Sequence, residues 1–119
     1  MKDIEYRGWD KKCKNMFEWK YLLKQTSIER LFDQKHYILL QFTGLKDYKG
    51  RKMFEGDIIE NKMGYEGYHG RGEVVFWLGR FCVKTKSGSW PKFVSQHDLK
   101  EQRWEVIGNV YENSELLKK

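Results

Sequence analysis

The sequence predicts a mainly β protein: a small antiparallel barrel with an N-terminal hairpin extension and one or two short helices. Three observations carry this. Runs of β-forming residues recur at intervals of about 8 to 15 residues. The breaks between them are marked by glycine, of which there are 11 against a single proline, Pro91. No long apolar period of helical type runs through the chain.

Taken in order, Ile4, Tyr6 and Gly8 alternate with Asp3, Glu5, Arg7 and Trp9, the period of a half-buried strand. Asp10 to Asn15 (DKKCKN) is a polar turn, and Met16, Phe17 and Trp19 read as the returning strand of a hairpin. Tyr21, Leu22, Leu23, Ile28, Leu31 and Phe32 include i,i+3 spacings, and Ser27-Ile28-Glu29-Arg30 is placed to cap one or two helical turns, while Thr26 and Asp33 suit a loop equally well; a short helix is expected. His36 to Thr43 is a strand. Thr43 to Ile59 (TGLKDYKGRKMFEGDII) then folds the chain back twice, with Gly44, Gly50 and Gly56 where a positive φ is cheap. Ile58 to Lys62 is the next strand. Glu73 to Leu78 and Phe81 to Thr85 are the two arms of the clearest hairpin, turning at Gly79-Arg80. Trp90 to Val94 is a further strand and Ser95 to Glu101 a helical turn. Trp104 to Tyr111 closes the fold, with Gly108 at a bulge or close approach. The Gly-Asp-Ile-Ile step at 56–59 is the kind of strand entry that SH3-like barrels use, which speaks to fold and carries no function.

At 119 residues, one domain with one core is expected, comprising a hairpin subregion (1–35) and a barrel-like region (36–112). Aromatic residues make up 16% of the chain, so that core is expected to be largely aromatic. Basic residues exceed acidic ones by six, which permits a polyanionic partner without requiring one. Cys13 and Cys82 show no CxxC spacing, so a reduced pair is expected rather than a zinc site. The opening MKDIEYRGWD has no apolar h-region, and no window approaches the ~18 apolar residues of a membrane span. Neither export nor a membrane partner is expected, and the protein is expected to be cytoplasmic.

No catalytic signature emerges. Glu60-Asn61-Lys62 is formally the ExK triplet of metal-dependent nucleases, with Asp47 or Asp57 upstream, but such triplets are common by chance in so charged a chain. Asp57 reads better as a turn-stabilising side chain. His36, His69 and His97 stand apart from any ligand-spaced partner, so no metal, cofactor or catalytic residue is expected. The candidate binding residues are basic or aromatic and lie in turns: Lys11, Lys12 and Lys14; Lys49, Arg51 and Lys52; and Tyr65, Tyr68, His69 and Arg71 in the Gly/Tyr-rich stretch at 64–72. Basic turns on a common rim would release counterions from a phosphate backbone, and exposed tyrosines would stack on bases.

Three blocks, IEYRGWDKKCKNMF at the start, TGLKDYKGRKMFEGDII in the middle and WEVIGNVYENSELL at the end, closely resemble the YopX-like proteins of phages and prophages of Gram-positive bacteria. The resemblance implies a mostly β fold with an SH3-like barrel component, phage origin and self-association, and it offers no catalytic residues. Residues 20–36, 63–72 and 84–102 match weakly. The expected role is therefore a non-enzymatic interaction module of a phage, binding itself or a phage or host protein. A nucleic-acid-binding module for DNA or RNA is the alternative, and a nuclease the third reading.

Overall fold

A computed structural model describes residues 5–61, 71–85, 92–93, 95–101 and 103–117. The fold is mainly β, with two antiparallel sheets, one of them curled into a half-barrel, and few short helices. The chain divides into two compact units, Met1–Phe42 and Thr43–Lys119.

In the first unit, β1 (Tyr6–Asp10) pairs with β2 (Asn15–Glu18) on one side and with the start of β3 (Tyr37–Lys46) on the other. The hairpin predicted from the alternating residues is present, but its second strand stops at Glu18. Trp19 instead opens a helix, α1 (Trp19–Gln25), and α2 (Ile28–Phe32) follows. Ser27 caps α2 as expected, its Oγ accepting from the Arg30 amide at 3.3 Å. Leu22 and Leu31, one from each helix, are fully buried with Leu39 of β3, and Tyr6, Phe17, Trp19 and Tyr37 pack around them. Burying each leucine is worth about 1.5–3 kcal/mol. Leu22 lies directly over Gly8, where a Cβ would come within 2.7 Å of its Cδ1.

In the second unit, β3 runs on to Lys46 beside β4 (Lys52–Phe54), and Thr43 Oγ1 donates to the Met53 carbonyl at 2.9 Å. A five-stranded sheet takes the order β8 (Lys92–Phe93), β7 (Arg80–Thr85), β6 (Arg71–Trp77), β5 (Asp57–Asn61), β9 (Trp104–Asn109). A short helix, α3 (Gln96–Glu101), precedes β9, and a 3-10 turn, Ser114–Leu117, follows it. The core here is Met53, Ile59, Val74, Val83, Leu99 and Trp104. Ile58 faces Gly108 but Ile59 faces Val106, so Ile107 is the extra residue of a bulge beside Gly108, where the sequence placed it. The same glycine allows the close approach of Asn113, whose Oδ1 would lie 2.5 Å from a Cβ at position 108.

Two expectations are corrected. Where one core was expected, the buried apolar side chains among the described residues form two clusters, one in each unit. Both are largely aliphatic: Trp104 is fully buried, whereas Tyr6, Phe17, Trp19 and Tyr37 flank their cluster half-buried. Units this small have little interior, so large rings lie across the edge of a core of leucine, isoleucine and valine.

Candidate functional site

The turns are built by buried acids rather than by the lysines around them. Asp10 closes the β1–β2 turn by accepting from the Lys12 amide at 2.8 Å and the Cys13 amide at 3.1 Å, while His36 Nε2 lies 3.0 Å from its other oxygen. Burial disfavours the Asp10 carboxylate, but these hydrogen bonds prevail and lower its pKa from 3.8 to about 2. The thiol of the neighbouring Cys13 is pushed up by desolvation and by Asp10, the reverse of what activates a cysteine. Asp47, fully buried, takes the amides of Lys49 (3.0 Å), Arg51 (2.8 Å) and, from β9, Val106 (3.0 Å). Asp57 takes the Phe54 amide at 2.7 Å, the turn role read for it from sequence.

The basic candidates divide accordingly. Lys11 Nζ donates to the Gln34 carbonyl at 2.7 Å, holding the first turn against the start of β3, and Lys12 and Lys14 are exposed beside it. Lys49 Nζ lies 3.4 Å from Glu105, and Arg51 donates to the Val106 carbonyl at 3.3 Å, so both anchor the 47–51 turn to β9. Lys52 is exposed on β4. Arg71 is bound on two sides, its Nε to Glu60 at 2.7 Å and an Nη to the Leu116 carbonyl at 3.1 Å, pinning the 3-10 turn to the β5–β6 pair. The Glu60 carboxylate of the ExK triplet is thus half of an ion pair. Tyr65, Tyr68 and His69 lie outside the described residues, as do Lys62, Trp90 and Pro91. No group of three His, Cys, Asp or Glu able to hold a metal occurs among the described residues, and none of the described helices is long and apolar enough to cross a membrane.

One surface was missed by the sequence reading. The β6–β7 hairpin turns at Leu78-Gly79, one residue earlier than expected, with φ of 50° and 80° as in a type I′ turn. Leu78 is 77% exposed at its apex, Phe76 is 55% exposed, and Phe76 meets Phe81 edge to face at 5.1 Å between centroids. A left-handed leucine costs about 1–2 kcal/mol over a residue suited to that region. Its exposed side chain recovers none of that within the fold. Beside Phe81 lies a small apolar crevice of about 10 Å³, room for about one water, lined also by Thr43, Leu45, Met53, Val74, Cys82 and Val83. The missed signal was the stretch Phe76-Trp77-Leu78 leading into a glycine, apolar up to a turn where polar residues are usual.

Fold and surface together define a small antiparallel β protein with an apolar hairpin tip and turns closed by buried carboxylates. The YopX protein family model matches residues 5–118, and the chain belongs to that family. It is also similar to the crystal structure of protein EF1440 from Enterococcus faecalis, with a TM-score of 0.70 and 25% identity over 98% of this chain and 99% of that one. No curated protein matches the chain in sequence.

Proposed function

We propose that the chain is a non-enzymatic binding protein of phage or prophage origin that engages a protein partner, or a second copy of itself, through the β6–β7 hairpin. The observation that carries this reading is Leu78, an apolar residue held in a strained backbone conformation and 77% exposed at the turn of that hairpin. Strain and apolar exposure at one residue are a joint cost that a contact offsets. The basic turns support the nucleic-acid alternative less well, because Lys11, Lys49, Arg51 and Arg71 each commit at least one donor to the fold itself.

The test is recovery of partners from a lysate of the host bacterium, with and without nuclease. A protein retained after nuclease treatment supports the proposal. Retention only of nucleic acid, with a salt-dependent shift of labelled DNA or RNA by the purified protein, would replace it by the alternative.

A further inference from the structure

The helix pair of the first unit carries more apolar surface than its own core uses. Each helix fully buries a single residue, Leu22 of α1 and Leu31 of α2. One step round each helix from these leucines runs a second apolar row at i,i+4 spacing, Trp19 and Leu23 on α1 and Ile28 and Phe32 on α2. Tyr6 of β1 lies 5.3 Å, centroid to centroid, from both Trp19 and Phe32, so the two rows border on one another with that ring between them. Tyr6 and Trp19 are half-buried, but Leu23, Ile28 and Phe32 stay 43%, 56% and 48% exposed. A further step outward, α1 carries Lys20 and Lys24 and α2 carries Glu29 and Asp33, all exposed. None of these charges forms an ion pair among the described residues, and Asp33 accepts only the Lys35 amide at 2.9 Å. Lys24 and Glu29 suit their helix ends, but like charges four residues apart repel slightly, so each row as a pair gives the fold little. The result is an apolar strip with a cationic margin along α1 and an anionic margin along α2. Such a strip suits an amphipathic helix whose apolar ridge has acids on one flank and bases on the other.

We infer that the strip between α1 and α2 docks an amphipathic helix of a partner protein, with its apolar ridge on Leu23, Ile28 and Phe32, its acidic flank along Lys20 and Lys24 and its basic flank along Glu29 and Asp33. This adds a second contact surface, in the other unit, to the β6–β7 hairpin of the proposed function, and it does not depend on that hairpin. The opposed margins set one direction for the bound helix, because reversal would bring like charges together on both sides. A nucleic acid or an anionic lipid surface fits less well, since it meets Glu29 and Asp33 as well as the lysines.

The test is fluorescence anisotropy with a labelled helical peptide of about 18 residues, with leucines along its ridge, glutamates on one flank and lysines on the other. Control peptides carry lysine on both flanks, glutamate on both flanks, or alanine along the ridge. The mixed peptide is expected to bind the wild type saturably, at least about tenfold more tightly than the alanine peptide and about fivefold more tightly than either single-sign peptide. In the Lys20→Glu/Lys24→Glu protein both margins are anionic, and the preference is expected to pass to the lysine-flanked peptide, a reversal that loss of folding does not produce. Ile28→Ser is expected to weaken the mixed peptide at least about tenfold. Circular dichroism shows whether each variant is folded, and the charge reversal, at exposed positions, serves if Ile28→Ser is not. Equal binding of the mixed and single-sign peptides, equal binding of the leucine and alanine peptides, an unchanged preference in the charge-reversed protein, or no binding up to about 1 mM would each overturn the inference. Self-association of the wild type that Ile28→Ser abolishes would also overturn it, by assigning the strip to a second copy. Leu78→Asn is expected to bind the mixed peptide as the wild type does. Failure of peptide binding while lysate capture still depends on Leu78 would sink the strip and leave the hairpin standing, and peptide binding without Leu78-dependent capture would do the reverse.

Discussion

The Asp47 carboxylate accepts the Val106 amide at 3.0 Å, joining the middle turn of the chain to its last strand. The same side chain holds the amides of Lys49 and Arg51, and the Tyr48 amide donates to the Trp104 carbonyl at 3.0 Å. The turn therefore occupies the outer edge of β9, an edge that would otherwise offer unpaired groups to another chain. Replacing Asp47 with Ala strands three amides, and a loss of about 2–4 kcal/mol is expected in urea unfolding. Asp47→Asn, which keeps one acceptor oxygen, is expected to lose less than Asp47→Ala. A stable Asp47→Ala protein contradicts this account of the turn.

Gly56 and Leu78 obey the same backbone rule from opposite sides. Gly56 has a φ of 89°, as its place before Asp57 suggested, so Gly56→Val is expected to cost about 2 kcal/mol or more. Leu78 has a φ of 50°, where asparagine is favoured, so Leu78→Asn is expected to raise stability by about 0.5–1 kcal/mol. Thermal unfolding of the two variants checks both signs.

The β1–β2 turn should carry an acid-labile component of stability. Asp10 has its pKa lowered from 3.8 to about 2 in the folded protein, so its contribution is complete above 3.8 and disappears as the pH falls through about 2. In Asp10→Asn this part of the pH dependence is expected to vanish. Unfolding curves at pH 4, 3 and 2 measure it, and parallel profiles for the variant and wild type would contradict it.

Glu73 predicts the opposite sign. Burial, with Glu55 nearby and Lys84 only partly compensating, raises its carboxyl above the usual value of 4.5. The charged form is then disfavoured in the fold, and stability falls as the pH rises through that raised pKa. Glu73→Gln is expected to be more stable than wild type at pH 7, and the gain should shrink as the pH is lowered and Glu73 becomes neutral itself.

What was legible in the sequence was mainly its turns, because Gly and Asp act locally: Gly56 takes its positive φ and Asp57 its amide within a few residues. Ser27 capped its helix for the same reason. Trp19 was read as strand because it continues an alternating run, but Leu22 and Leu31 are buried only if the chain turns helical there. The candidate site was less legible. Lys49 and Arg51 look like any basic turn until their partners Glu105 and Val106, more than fifty residues away, are brought beside them. Leu78 was hidden because nothing local marks a leucine as holding a positive φ.

The most direct test of the binding account uses Leu78→Asn, which keeps or raises stability while removing the exposed apolar apex. Partner capture from nuclease-treated host lysate is measured for wild type and variant at matched concentrations. The account predicts a protein retained by wild type and reduced at least about tenfold with Leu78→Asn. Equal capture by a folded Leu78→Asn protein would contradict it.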